Sequence, residues 1–221
     1  MAVLSAEELS FFNKNGYVVA RQVISRQQAE RTARAVWDFA GMDPDDAKTW
    51  YGERRGIMVE IYQQQFQWDN RTAPRVYQAF SQVWDRRKLW VSHDRASISP
   101  PNRQSQAPEH GLHWDMGDAG LAQRPVPFGV QGILYLSDTP AEQGAFICVP
   151  GFHRRIDRWL DALPEGVNPR QQDLLALGAE RIPAAAGDLI IWHTALPHTA
   201  SVNRGTAPRV AQYITMGPAS E

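Results

Sequence analysis

The chain has 221 residues, 43% of them hydrophobic and 21% charged, enough for one well-packed domain and too few for two comfortable ones. A formal net charge of −1 shows none of the basic excess expected of a nucleic-acid or anionic-membrane binder, and no apolar run approaches the roughly 20 residues that span a bilayer. Cys148 is the single cysteine, which excludes an internal disulfide and a thiolate-rich zinc site. The opening Met1-Ala2-Val3-Leu4-Ser5 lacks the pattern of a signal peptide, so a reducing, cytoplasmic setting is expected.

The first forty residues predict helix, strand, helix. Ser5-Ala6-Glu7-Glu8 reads as a capping box and Asn15-Gly16 as a stop, with Tyr17-Val18-Val19-Ala20 as a short strand behind it. Ser25-Arg26-Gln27-Gln28 reads as a second capping box; Ala29, Ala33, Val36 and Phe39-Ala40 then recur at helical spacing up to Gly41. Residues 57–62 fit a strand or a helix start. Val76, Tyr77, Phe80, Val83 and Trp84 give an amphipathic helix opened near Pro74.

From Leu89 the character changes to short β-rich runs separated by turn residues, at 89–99, 112–116, 128–137, 145–149, 188–192 and 210–216. Regular short strands of this kind predict a sandwich or barrel. The stretches 154–163 and 171–177 read as helical insertions. The expectation is a mainly β protein with flanking helices, in one domain over 1–221: largely helical support in 1–88 and a β-sandwich core in 89–217.

Six histidines are present, His93, His110, His113, His153, His193 and His198. His113-Trp114-Asp115 falls in an expected strand, where alternate side chains share a face. His113 and Asp115 then project together while Trp114 points the other way, into packing. An imidazole and a carboxylate so placed supply two ligands of the 2-His-1-carboxylate triad of non-haem iron(II) oxygenases. On its own His-x-Asp is weak, and an ordinary hydrogen-bonded pair explains it as well. For the third ligand there are two candidates, each followed eleven positions later by an arginine: His193 by Arg204 and His198 by Arg209. Spacing does not decide between them. Context favours His198, because Arg209 opens the strand Val210-Ala211-Gln212-Tyr213-Ile214, whereas Arg204 falls in a solvated turn. His193 reads as a satisfied core histidine.

These residues carry a resemblance. Leu112-His113-Trp114-Asp115, the strand end Leu134-Tyr135-Leu136-Ser137-Asp138, Gln143-Gly144-Ala145 leading to Val149-Pro150-Gly151-Phe152-His153, and the block 187–209 together resemble the phytanoyl-CoA dioxygenase family of iron(II)- and 2-oxoglutarate-dependent oxygenases. The opening run 11–19 resembles the family's N-terminal start.

The resemblance implies a double-stranded β-helix, the jelly-roll or cupin-like core. It implies iron(II) on His113, Asp115 and His198, with 2-oxoglutarate and oxygen as co-substrates and a small organic molecule oxidised as succinate and carbon dioxide are released. Arg209 would hold the far carboxylate of 2-oxoglutarate, since a planar, permanently charged donor suits it.

Some relatives add a hydroxyl two residues after the arginine; here that position is Ala211, and Gln131, on the inward parity of its strand, is the candidate second contact. Related halogenases keep a small residue where Asp115 stands, so the carboxylate argues for hydroxylation or a similar oxidation. The alternatives are a cupin-like metalloenzyme that uses no 2-oxoglutarate and a non-catalytic ligand-binding sandwich.

His153 reads as structural, His110 as a surface residue and His93 as part of a buried polar cluster. Trp192 and Trp90 are candidate pocket walls. Arg103 and Arg124, in the loops before and after His113, are candidate partners for a substrate carboxylate. Neither nucleic acid nor membrane is expected as a partner; substrate identity and oligomeric state are not legible.

Overall fold

The computed structural model describes residues 2–53, 56–104 and 107–219. In chain order the elements are α1 (Ala6–Asn15), β1 (Tyr17–Ala20), α2 (Arg26–Ala40), β2 (Gly56–Val59), α3 (Gln65–Arg71), α4 (Pro74–Trp84), β3 (Leu89–Val91), β4 (Ala96–Ser99), α5 (Asp118–Leu121), β5 (Val130–Tyr135), β6 (Phe146–Cys148), α6 (Ile156–Asp161), β7 (Glu180–Ile182), β8 (Leu189–His193), β9 (His198–Ala200), β10 (Arg209–Tyr213) and β11 (Met216–Pro218).

A six-stranded sheet in the order β1-β8-β5-β10-β4-β2 faces a three-stranded sheet in the order β7-β6-β9, and β11 and β3 form a separate ribbon. All pairings are antiparallel. This is the jelly-roll arrangement, mainly β with flanking helices. The N-terminal segment supplies more than helical support: β1 and β2 form the two edges of the larger sheet. No helix among the described residues is long and apolar enough to cross a membrane.

Strand alternation sorts the larger sheet into two faces. Val18, Ala96, Ile98, Leu134, Leu189, Ile191 and Val210 point to the helices and pack with Val36, Val76 and Phe80. Ile133, Tyr135, Ile190, Trp192 and Ala211 point to the smaller sheet and pack with Phe146, Cys148 and Ile182. Val76 and Phe80 are fully buried, each worth about 1.5–3 kcal/mol. Gly132 lets α4 come this close: a Cβ there would stand 2.7 Å from both the Phe80 ring and the Ile214 carbonyl oxygen.

The first capping box forms as expected, with Glu8 N–H donating to Ser5 Oγ (3.2 Å) and Ser5 N–H to Glu8 Oε2 (2.7 Å). Gly16 ends α1 at φ +79°, and a Cβ there would meet His153 Nδ1 at 2.5 Å. The second box is only half made. Ser25 Oγ accepts from Gln28 N–H, but the Gln28 side chain is drawn to Asn70 Oδ1 at 2.8 Å; a buried amide that needs a partner outweighs an exposed cap.

Four other expectations change. Residues 89–99 make two strands in different sheets, β3 and β4, and 210–216 splits likewise between β10 and β11. The expected strand at 112–116 shrinks to one antiparallel bridge, His113 to His198. The 171–177 stretch forms two 3-10 turns, Pro169–Gln171 and Leu175–Leu177, rather than a helix.

Candidate metal centre

The bridge between His113 and His198 is what builds the site. Backbone N–H of His113 donates to the His198 carbonyl at 3.0 Å and the reverse bond is 2.9 Å, so two residues 85 positions apart are opposite partners at the edge of the smaller sheet. Opposite residues in an antiparallel ladder project to one face, and their rings stand 5.0 Å apart. Asp115, two residues on, turns to the same side: its Oδ1 is 3.4 Å from His113 Nε2 and its Oδ2 is 3.3 Å from His198 Nε2. One donor atom from each of His113, Asp115 and His198 lies within 4.8 Å of the others. The neighbouring imidazoles, His113 first and then His198, hold the Asp115 carboxyl well below the usual carboxylate range.

The chain fixes which nitrogen His198 offers. Its Nδ1 lies 2.9 Å from the Leu196 carbonyl oxygen, which can only accept, so Nδ1 carries the proton and Nε2 presents a lone pair to the site. Phe146 and Trp192 pack on the His198 ring, at 5.8 and 5.0 Å between centroids. Trp114 points away as expected, donating from Nε1 to the Ala195 carbonyl at 2.9 Å.

Arg209 is 1% exposed and lines the same cavity, of about 240 Å³, as the three donors. Its Nη2 lies 2.7 Å from Ser97 Oγ and 3.4 Å from Ser99 Oγ, and its buried Nε has no partner. No carboxylate among the described residues pairs with it. Gln131 reaches the cavity, as its strand parity requires, but it is bonded to the triad instead of Arg209: Nε2 donates to Asp115 Oδ2 at 2.7 Å, and Oε1 is buried without a partner.

The hydroxyl absent at Ala211 stands across the ladder, because Ala211 pairs in register with Ser97. Ser97 was not singled out from the sequence. The alternation Ala96-Ser97-Ile98-Ser99 gives both serines one face, but only the β4–β10 register brings them to Arg209.

A buried imidazole, an exposed one and a carboxylate in mutual reach are a donor set suited to a first-row divalent metal. An unneutralised buried guanidinium beside it, with Gln131 Oε1, Arg209 Nε and Trp192 Nε1 all lacking partners, suits a polar anionic co-substrate. The residues fit an iron(II) and 2-oxoglutarate pair.

His193 lies apart from the triad. Its Nδ1 accepts from Ala195 N–H at 3.0 Å and its ring packs on Phe128 and His153 at 5.0 Å. Burial, with His153 nearby, pushes it down to about 4. Arg204 is not merely solvated; it pairs with Glu109 and donates to the Ala107 carbonyl. His153 is structural and His110 exposed, as read, while His93 is exposed beside Trp68 and Gln63 rather than buried.

Trp192 walls the cavity but Trp90 is 69% exposed and outside it. Arg124 is paired with Asp161 away from the site, and Arg103 lies over the Tyr51 ring in a neighbouring cavity that contains no triad residue.

The fold and site thus define a jelly-roll protein with a facial two-histidine, one-carboxylate cluster. The chain matches the phytanoyl-CoA dioxygenase (PhyH) family over residues 12–211 and belongs to it. A Dictyostelium discoideum protein that carries the phytanoyl-CoA dioxygenase name is 24% identical over 95% of this chain and 74% of its own length. Among solved structures, the non-haem α-ketoglutarate-dependent epimerase SnoN of nogalamycin biosynthesis superposes with a TM-score of 0.67 at 17% identity, over 97% of this chain and 83% of that one. HygX of Streptomyces hygroscopicus, solved with nickel and 2-oxoglutarate bound, gives 0.66 at 18% identity, over 98% and 88%. These structural likenesses establish the fold.

Proposed function

We propose that this protein is an iron(II)- and 2-oxoglutarate-dependent oxygenase acting on a small organic molecule, with His113, Asp115 and His198 as metal ligands and Arg209 as the anchor of the 2-oxoglutarate far carboxylate. The observation that carries the reading is that one cavity is lined both by the three donors and by a buried arginine with no anion of its own. Family membership supports it, as does the 2-oxoglutarate held by the structural neighbour HygX. The site is read as part of a single oxygenase domain spanning the chain.

Bound there, iron(II), 2-oxoglutarate and oxygen would supply the oxidising power, with succinate and carbon dioxide as co-products. The chain's own contribution is positioning. The Leu196 carbonyl fixes the His198 tautomer, and Gln131 holds one oxygen of Asp115 so that its orientation does not depend on the metal alone. Arg209, steadied by Ser97, offers a charge-assisted fork for a carboxylate. Phe146 and Trp192 cover His198 and keep water from that side.

Calorimetric titration of 2-oxoglutarate into manganese(II)-loaded protein tests the assignment. One molecule should bind per metal, and binding should weaken about a hundredfold or more in Arg209→Leu. Equal binding by that variant would overturn the role of Arg209, and none by the wild type would overturn the function.

A further inference from the structure

We propose that the substrate carries a flat apolar ring and that this ring lies in the groove beside Asp115 walled by Trp84, Met116, Pro127 and Phe128. The inference rests on the oxygenase reading above and adds the class of molecule oxidised.

Among the described residues, two cavities share triad residues and a third lies nearby. The one lined by Arg209 is the place of 2-oxoglutarate. The one at Tyr51, Arg103 and His110 has no metal-ligand residue in its wall. The other, of about 370 Å³, shares Asp115 and Gln131 with the metal cavity, so a molecule seated in it is next to the metal. Asp115 is the only charged residue among those lining it, and Trp84, Met116, Pro127 and Phe128 are the apolar side chains that reach its surface. The groove is shallow and more open than the metal cavity, so it would cover one face of a flat ring with apolar and aromatic groups.

Phe128 marks the rim. It is one of three large apolar side chains left exposed among the described residues, at 48%. It is also fixed, edge-to-face between Trp84 (4.8 Å, 83°) and His193 (5.0 Å, 83°). A ring held rigid at a cavity mouth binds another ring with little loss of rotamer freedom. Trp84 is itself fastened, donating from Nε1 to the Met216 carbonyl at 2.7 Å. Gly217 lines the groove, and a Cβ there would meet nothing within 4 Å, so the space is open at that point.

The test uses protein loaded with zinc(II) and 2-oxoglutarate, and saturation-transfer NMR with 2-naphthol and glucose as probes. Two variants separate the groove from general stickiness. Phe128→Ala removes an exposed ring, and Gly217→Trp places a side chain where the wall leaves room. The expected result is binding of 2-naphthol but not glucose by the wild type, weakened about tenfold or more in each variant, with 2-oxoglutarate affinity unchanged in both. Replacing zinc(II) by manganese(II) should broaden the 2-naphthol ring protons in the wild type.

Binding of 2-naphthol that neither variant weakens, absence of manganese broadening, or preference for glucose would overturn the proposal while leaving the oxygenase reading intact. A wild type that takes up no 2-oxoglutarate would instead remove that reading, and the proposal with it.

Discussion

Ser97 Oγ lies 2.7 Å from Arg209 Nη2 because β4 and β10 pair so that Ser97 stands opposite Ala211, the neighbour on Arg209's own side of the strand. The guanidinium is therefore solvated by hydroxyls where a buried cation would otherwise need an acid. It stays unneutralised, and a ligand carboxylate can meet its charge at full strength.

Ser97→Ala should weaken 2-oxoglutarate binding about fivefold, the value of one hydrogen bond, while Arg209→Leu should weaken it about a hundredfold or more. Calorimetry with manganese(II) in place of iron gives both numbers without turnover. An effect of Ser97→Ala equal to that of Arg209→Leu would mean that the serine does more than steady the arginine.

The two histidines left open by spacing should part cleanly. His198→Ala should leave less than about a tenth of the wild-type metal after dialysis against a weak chelator, whereas His193→Ala should retain it and lose only stability. Elemental analysis beside a urea melt reads the two effects separately.

Gln131→Leu removes the donor on Asp115 Oδ2 while keeping the volume of the side chain. Metal affinity should fall about 10- to 100-fold, the usual cost of losing a group that orients a ligand, with thermal stability little changed. A competition titration with a metal-binding dye measures it.

Acid should destabilise the fold through His193. Its folded value is depressed to about 4 from an ordinary 6.5, first by burial, so between these values the unfolded chain binds more protons than the folded one. The stabilising preference for the neutral ring is complete above pH 6.5 and is lost progressively as pH falls towards 4. Urea midpoints should drop between pH 7 and pH 5, and His193→Phe should show a shallower drop.

Glu109 joins the two segments that carry the histidines. It accepts from Arg181, Arg204 and the Val202 N–H, tying the approach to His113 to the chain beyond β9. Glu109→Ala should cost about 2 kcal/mol and loosen metal binding through the His113 edge. Denaturation and metal titration on one sample would show the two losses together.

The cluster was legible in the sequence because its residues keep local signatures: alternation brings His113 and Asp115 together, and the strand opened by Arg209, rather than the spacing, points to His198. What escaped it depends on contacts between distant segments. The 112–116 run has strand composition, yet only His113 finds a paired partner, at His198. Ser97 needs the β4–β10 register, and Gln131 shows its inward parity in the sequence but not whether it will meet Asp115 or Arg209. Likewise Ser25 announces a capping box, but nothing local tells that Gln28 will be claimed by Asn70. The loop arginines 103 and 124 looked available only because Tyr51 and Asp161, which engage them, are far away in sequence.

The most direct test of the central claim is the visible spectrum of anaerobic iron(II)-loaded protein before and after addition of 2-oxoglutarate. The assigned site predicts a weak charge-transfer band from bidentate chelation, present in the wild type, abolished by His198→Ala and needing much higher 2-oxoglutarate in Arg209→Leu. With iron shown to be bound, absence of the band in the wild type would contradict the account and favour a metalloenzyme of the same fold that does not use 2-oxoglutarate.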